Sequence, residues 1–168
     1  MNKETNIKRL IYIFTVIFVS IIADQLSKVA AQQWIGSDRY SFLGDTLRLG
    51  VTENTGAFLG MGSNLDEGIR TAIFIVLTAI FLIGLLAYIL INKKVNGLEL
   101  LSWCLLLGGG LGNLIDRGFR NGHVVDFLNV GIGSLRTGIF NVADMVIMAG
   151  AFILIYLSFR PSTHSQKQ

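Results

Sequence analysis

The chain has 168 residues, 52% of them hydrophobic and only 15% charged, with 19 glycines and a single proline, and its mean hydropathy is +0.59. That composition excludes a soluble globular core and points to a membrane protein. A formal net charge of +3 does not argue for nucleic acid as a partner, because the cations are scattered rather than striped along one face. Cations flanking membrane segments account for them better.

A bilayer core takes about 20 apolar helical residues to cross, and long charge-free runs recur four times. The first, residues 10–23, follows Lys3, Lys8 and Arg9 and continues in helical pattern through "DQLSKVAAQQW". A basic start and an apolar run also suit a signal peptide, but no small-x-small site followed by a soluble domain appears, so a membrane anchor is expected. About forty residues come next, with alternation in "TLRLGVT" and many glycines. They predict a small β-like platform outside the membrane.

Residues 71–91 are charge-free for 21 positions, 100–115 for 16 and 145–159 for 15. Lys93 and Lys94 fill the tight turn between the second and third runs. "RGFRNGHVVDFLNVGIGSLRTG" joins the third to the fourth, and its "HVVDFLNV" with a glycine-rich turn predicts another strand or hairpin. The sequence therefore reads as one integral membrane domain over 1–168, with four transmembrane helices near 10–30, 70–91, 99–116 and 139–159. The extracytoplasmic segments lie near 31–69 and 117–138.

Four spans put both termini and the Lys-Lys turn on one side. The cations divide evenly: Lys3, Lys8, Arg9, Lys93, Lys94, Arg160 and Lys167 against Lys28, Arg39, Arg48, Arg70, Arg117, Arg120 and Arg136. The first group is concentrated in short segments and flanks the first helix, so both termini are expected in the cytoplasm. Nine of the eleven acids then fall on the outer side, leaving Glu4 and Glu99 inside. Carboxylates beside hydrocarbon are costly unless paired or used, so the asymmetry calls for a function.

The acids differ in their local neutralisation. Asp24 has Lys28 one helical turn later, on the same face, which suits an ion pair. Asp116 is followed by Arg117, and adjacent helical residues do not face each other, though a helix-end Arg reaches headgroups or substrate. Asp126, in "VVDF", has only His123 nearby, and the nearest cation to Asp144 in sequence is Arg136, eight residues away. Two such acids brought together share a proton, one serving as base on a water and the other as acid. Taken singly, Asp144 also suits a helix N-terminal acid and Asp126 a turn acid.

Other constellations are weaker. "GGGLGN" at 108–113 is not followed by the Lys and Ser/Thr of a phosphate loop; Gly108 and Gly112 instead allow close helix packing that brings Asn113 to the site. Ser27 and Lys28 do not form a dyad, since neighbouring helical positions diverge by about 100°. Cys104 is the sole cysteine and lies in the third apolar run, so it is read as a packing residue. A metal centre would need more ligands than His123, with His164 in the polar tail on the other side, so neither metal nor cofactor is expected.

"DQLSK" (24–28), "NTGAF" (54–58), "GGGLGNLIDR" (108–117), "HVVDF" (123–127) and "FNVAD" (140–144), in that order within four spans, resemble the lipoprotein signal peptidase (signal peptidase II) family. The resemblance covers nearly the whole chain. It implies a membrane aspartyl endopeptidase of the bacterial inner membrane, working at the outer face on prolipoproteins that already carry diacylglycerol, and cutting on the N-terminal side of the lipidated cysteine. It implies a small β-cradle and a short extracytoplasmic helix above the four spans, with Asp126 and Asp144 as the catalytic pair. Asn54, Gly56, Asn113, Asp116, Arg117 and Asn141 fall on motif positions that bind substrate or support the site, and Asp24 and Lys28 on the first motif. Lipidated prolipoproteins and membrane lipids are the expected partners of a monomer.

One departure stands out. Most members read Asn-x-Gly-Ala-Ala-aromatic at the second motif, often after a basic residue, whereas "NTGAF" is one small residue shorter and follows Glu53. The fit of substrate or inhibitor near Asn54 is where such a change would act, as in a specialised or paralogous member. The competing functions are a small proton-coupled polytopic transporter, which would carry its acids near mid-helix, and a non-enzymatic assembly or lipid-binding protein.

Overall fold

The computed structural model describes residues 3–54 and 66–160. They form α1 (Lys3–Trp34), β1 (Tyr40–Phe42), β2 (Leu47–Asn54), α2 (Glu67–Ile91), α3 (Gly97–Phe119), β3 (Val124–Ile132), β4 (Leu135–Arg136) and α4 (Val142–Ser158). Three of the helices are long and apolar enough to cross a membrane, with the qualifying stretches at Glu4–Trp34, Thr71–Ile91 and Gly97–Phe119. The fourth, α4, has 17 residues, at the short end of the roughly 17–25 that a span requires. It starts at Val142 rather than near 139 because Asn141 caps it. The side chains on the outer faces of α1 and α2, such as Phe14, Phe18, Phe81 and Ile83, are exposed. Apolar exposure of this kind suits a lipid environment.

α3 is the helix that the others surround. Ile13 and Ile17 of α1, Leu82, Leu85 and Ile89 of α2, and Leu100, Cys104 and Leu107 of α3 form one buried cluster. Cys104 is free and fully buried within it, in the packing role expected for it. Arg9, near the start of α1, closes that end of the bundle by donating to the carbonyls of Ile89 and Asn92 at 2.9 and 3.1 Å, and also to that of Val95. One guanidinium thus satisfies carbonyls left over at the C-terminus of α2 and in the turn after it.

Glycines set how closely α3 approaches its neighbours. A Cβ at Gly108 would lie 2.7 Å from the Ser20 Cβ, and one at Gly112 would lie 2.7 Å from the Asp24 Oδ2. Both therefore face α1 and let it pack tightly, as the four-residue spacing suggests. Gly109 faces α4, where its Cβ would meet the Ala143 carbonyl oxygen at 2.6 Å. Gly109→Ala is expected to push α4 outward and destabilise by about 1–3 kcal/mol, as overpacking does. Gly110→Ala meets the movable tip of Leu82 and should cost clearly less. Thermal unfolding of the two variants in detergent checks this; equal losses would refute it.

The strands form one antiparallel sheet in the order β1-β2-β3-β4. This is the expected cradle. No short helix stands apart from the four among the described residues. β2 pairs with β3 from Leu47↔Val130 to Asn54↔Val124, with an irregularity between Leu49 and Thr52. After β4 the chain returns along β3: Phe140 donates to Leu128 O at 2.8 Å and accepts from the Leu128 amide at 2.9 Å. That return leg delivers Asn141 beside Asp126.

Candidate active site

The inner frame is a buried cluster of charges. Asp24 and Lys28, one turn apart on α1, pair at 2.7 Å with both side chains fully buried. Lys28 Nζ also reaches Asp116 Oδ2 at 2.9 Å and donates to Asn113 Oδ1 at 3.0 Å. Its three N–H groups therefore have three acceptors. The first of these ion pairs follows from the i, i+4 spacing, whereas the second joins α1 to α3 and leaves Asp116 paired with Lys28 rather than Arg117. Arg120 Nε adds a looser approach to Asp116 at 3.4 Å.

The two acids also place backbone. Asp24 Oδ1 accepts from the Ala143 amide at 2.9 Å, in the first turn of α4. Asp116 Oδ2 accepts from the Val125 amide at 3.1 Å, in β3. The frame thus fixes the residue before Asp144 and the residue before Asp126. Gln25 Nε2 bridges both acids, at 3.1 Å from Asp24 Oδ2 and 3.0 Å from Asp116 Oδ1. Gln25 stands outside the residues singled out from sequence; its only signal there was its place inside "DQLSK". The Ser27 hydroxyl donates to the Asp24 carbonyl at 2.7 Å, so it is occupied by its own helix.

Asn113 and Asn141 carry the frame outward to the two remaining acids. Asn113 Oδ1 accepts from Lys28 and, at 3.1 Å, from Asn141 Nδ2, while Asn113 turns its own Nδ2 toward Asp144 Oδ1 at 2.9 Å. Asn141 caps α4: its Oδ1 accepts from the Asp144 amide at 3.0 Å, and its own amide donates to Asp144 Oδ2 at 3.1 Å. The same residue donates through Nδ2 to Asp126 Oδ1 at 2.7 Å. Asn54 Nδ2 donates to Asp126 Oδ2 at 2.9 Å. Asp126 and Asp144 are therefore neighbours of one asparagine, each held by neutral amides.

The cations nearest to them in sequence face other acids. His123 lies 3.6 Å from Glu53, and Arg136 reaches Asp45 at 3.6 Å and donates to Asn129 Oδ1 at 2.5 Å. Asp144 is indeed an N-terminal helix acid, with a second face turned to Asn113. Asp126 is not a turn acid: it lies inside β3, buried. That burial, with the Asp144 charge adding to it, pushes the Asp126 pKa up to about 6 against the hydrogen bonds from Asn54 and Asn141 and the Lys28 charge. Arg117 is half-buried, its Nη1 lies 3.5 Å from the Asn113 carbonyl, and its Nε has no hydrogen-bond partner among the described residues. Gly56 and the rest of "NTGAF" after Asn54 lie outside the described residues.

A family model described as signal peptidase (SPase) II matches residues 16–160. The chain belongs to the signal peptidase II family. The lipoprotein signal peptidase of Borrelia turicatae (strain 91E135) is 37% identical over 158 residues, 89% of this chain and 92% of that protein. The lipoprotein signal peptidase of Borrelia hermsii (strain HS1 / DAH) is 36% identical over 161 residues, 92% of each. Two bacterial membrane enzyme structures determined by the in meso method, at 2.3 and 1.9 Å resolution, superpose with TM-scores of 0.75 and 0.77 at 26% identity. They cover 94% and 90% of this chain, and this chain covers 93% and 94% of them. Signal peptidase II membership makes the chain a membrane peptidase, and its helices with the small sheet share that enzyme's fold.

Proposed function

We propose that the chain removes signal peptides from diacylglyceryl-modified prolipoproteins by cutting N-terminal to the lipidated cysteine, with Asp126 and Asp144 as an aspartyl pair. The observation that carries the pair is Asn141, which donates to one carboxylate through its side chain and to the other through its backbone. A proton-coupled transporter is not favoured by the family, and its acids would sit at mid-helix rather than at a helix start and on a strand.

In this mechanism Asp144 takes a proton from a water as its oxygen attacks the scissile carbonyl carbon. Asp126 gives its proton to the carbonyl oxygen; the tetrahedral species then collapses as Asp144 passes its proton to the departing nitrogen and Asp126 takes a proton back from the gem-diol, which restores the pair. The products are a signal peptide carboxyl group and a free amine on the lipidated cysteine. Asn54, Asn113 and Asn141 hold the carboxylates in place, the Asp24–Lys28–Asp116 cluster holds the asparagines, and Arg117 brings positive charge to the carboxylates. A scissile bond beside a lipidated residue cannot travel far into water, which suits a pair at the head of α4. Incubating the purified protein with a lipidated prolipoprotein tests the function: signal peptide release is expected, and none from an unlipidated precursor. Equal cleavage of both would refute the substrate class.

The raised Asp126 pKa has a consequence for stability. The folded chain binds this proton more tightly than the unfolded chain, so the contribution of Asp126 to stability is full below the ordinary aspartate range and is lost as pH rises toward about 6. The loss is about 3 kcal/mol and should be missing in Asp126→Asn. Unfolding in detergent from pH 4 to pH 7, wild type against variant, measures the difference in slope. Parallel curves would contradict it.

For the topology we infer four crossings of the bacterial inner membrane by a monomer with both termini in the cytoplasm and the sheet outside. Reporter fusions after Lys94 and after Gly133 should report opposite sides; the same side for both would overturn the arrangement.

A further inference from the structure

The sheet face that carries Asp126 leads into a basin of about 490 Å³ that the reaction above does not use. Thr52 pairs with Asp126 across β2 and β3, and side chains directly opposite each other share a face. Asn54, two residues on, donates to Asp126 from the same side. Thr52 also lines the basin, together with Ser41, Arg48 and Asn129. Because Arg48 and Thr52 both line it, the irregularity between Leu49 and Thr52 does not turn β2 over. Tyr40 and Leu49, partners across β1 and β2, alternate to the other face, against Phe127 and the end of α1. The basin is thus continuous with the surface from which Asp126 acts.

Three guanidiniums line it, those of Arg39, Arg48 and Arg136. Arg48 and Arg136 share Asp45, at 2.5 and 3.6 Å, and Arg136 is further held by Asn129 Oδ1 and the Asp45 carbonyl. Arg39 differs. It is exposed and makes no ion pair or hydrogen bond among the described residues. A Cβ at Gly50 would meet Arg39 Cγ at 3.3 Å, so the stem crosses this face while the guanidinium stays uncommitted. Asp38, beside it in the chain, is turned to the Tyr40 hydroxyl at 3.4 Å. Three cations with Asp45 between them leave the basin positive, and a positive basin is no seat for acyl chains or an apolar peptide.

The direction of the strands narrows the occupant. Asp126 is bonded to Asn141 at the head of α4, and Val125 beside it to Asp116 of α3, so this end of the sheet rests on the helices. From there the basin follows β2 back from Thr52 to Arg48, a span of about 13 Å. An extended peptide covers that length in about four residues. A prolipoprotein leaves the scissile bond in two directions: the signal peptide is apolar and stays with the hydrocarbon, and the mature chain after the lipidated cysteine heads for water. We propose that the basin receives the first residues of that mature chain and selects acidic side chains among them, with Arg39 as the cation that meets them. The inference rests on the prolipoprotein reading and deepens it by a preference at the second to fifth mature residues.

The test uses lipidated prolipoproteins that differ only at those positions, carrying serines, two aspartates or two lysines, with kcat/KM measured for each in uncharged detergent. Wild type is expected to favour the aspartate substrate over the serine one by about 3–5-fold, the value of one exposed ion pair, with the lysine substrate below both. The preference should lie in KM and fade as salt is raised. Arg39→Gln should flatten it, Arg39→Lys keep it and Arg39→Glu turn it toward lysine, whereas a merely structural role for Arg39 would change all three substrates alike. Binding of the matching diacylglyceryl-cysteine peptides to Asp126→Asn protein, read by fluorescence anisotropy, should follow the same order and needs no turnover. Wild type that cleaves none of the substrates would refute the peptidase reading alone; equal affinities for the aspartate and lysine peptides would refute the basin. An Arg39→Glu protein that keeps the wild-type order would also overturn it. So would rates that follow added phosphatidylglycerol and ignore the charge of the peptide, the mark of a lipid headgroup site.

Discussion

Asparagine in place of Asp126 or Asp144 is expected to cut turnover of a lipidated prolipoprotein by about 10³-fold or more while the protein stays folded. Each change keeps the shape of the side chain and removes its ability to accept or give a proton. Asp126→Asn keeps one oxygen for either Asn54 or Asn141 but turns an amide against the other donor, losing one hydrogen bond while relieving a buried charge. Asp144→Asn loses one of its two acceptors, either the cap bond from Asn141 or the bond from Asn113, worth about 1 kcal/mol. Neither loss unfolds a protein. The double variant should be no slower than the worse single one, because two residues acting as a unit lose their effect at the first deletion. Cleavage assays alongside thermal unfolding in detergent decide the matter. Substantial turnover by a folded Asp126→Asn or Asp144→Asn protein would remove that residue from the mechanism.

Asp126 and Asp144 stood out in the sequence because local charge is a short-range property: apart from His123, no cation lies close to either along the chain. The Asp24–Lys28 bond was legible for a related reason, since helical spacing alone makes residues four apart face each other. What the sequence withheld was contact between distant segments. Asp116 was read against its neighbour Arg117, yet its partner Lys28 lies on another helix, and only the glycine-lined approach of α3 to α1 brings them together. β2 and β3 were each visible as strands, but their pairing spans seventy residues of chain or more, and no periodicity encodes it. Asn141 was named as a motif position; that it serves both acids depends on the return leg from Thr137 to Phe140 lying along β3, where backbone bonds such as Thr137 N to Val130 O at 2.8 Å hold it. The start of α4 was placed too early because "GIF" before Asn141 is as apolar as the helix itself. The cap, not hydropathy, sets the boundary.

Lys28→Met should be the most destabilising single change in the site, by about 3–5 kcal/mol, which lowers the unfolding temperature by roughly 10 °C or more. The methionine fills much the same space but leaves Asp24 and Asp116 facing each other, both fully buried, with no cation between them. Breaking a buried ion cluster by removing one partner costs far more than the cluster contributes, because the remaining charges are stranded. Asp24→Asn should be milder. Lys28 keeps Asp116 and Asn113 as acceptors, and an asparagine oxygen can still take the Ala143 amide at the head of α4. Adding Asp24→Asn and Asp116→Asn to Lys28→Met should then recover most of the lost stability, since a neutral cluster is not expensive to bury. Recovery of stability should not restore cleavage to the same degree. Without the Lys28 ammonium, Asn113 Oδ1 keeps only Asn141 as donor, and the amide that faces Asp144 is free to turn away. Unfolding curves for wild type and the three variants, with cleavage rates measured below each melting point, provide the comparison. A Lys28→Met protein within about 1 kcal/mol of wild type would mean that the cluster is not the frame of the site, and full cleavage by the stable triple variant would mean that the frame does not act on Asp144 through Asn113.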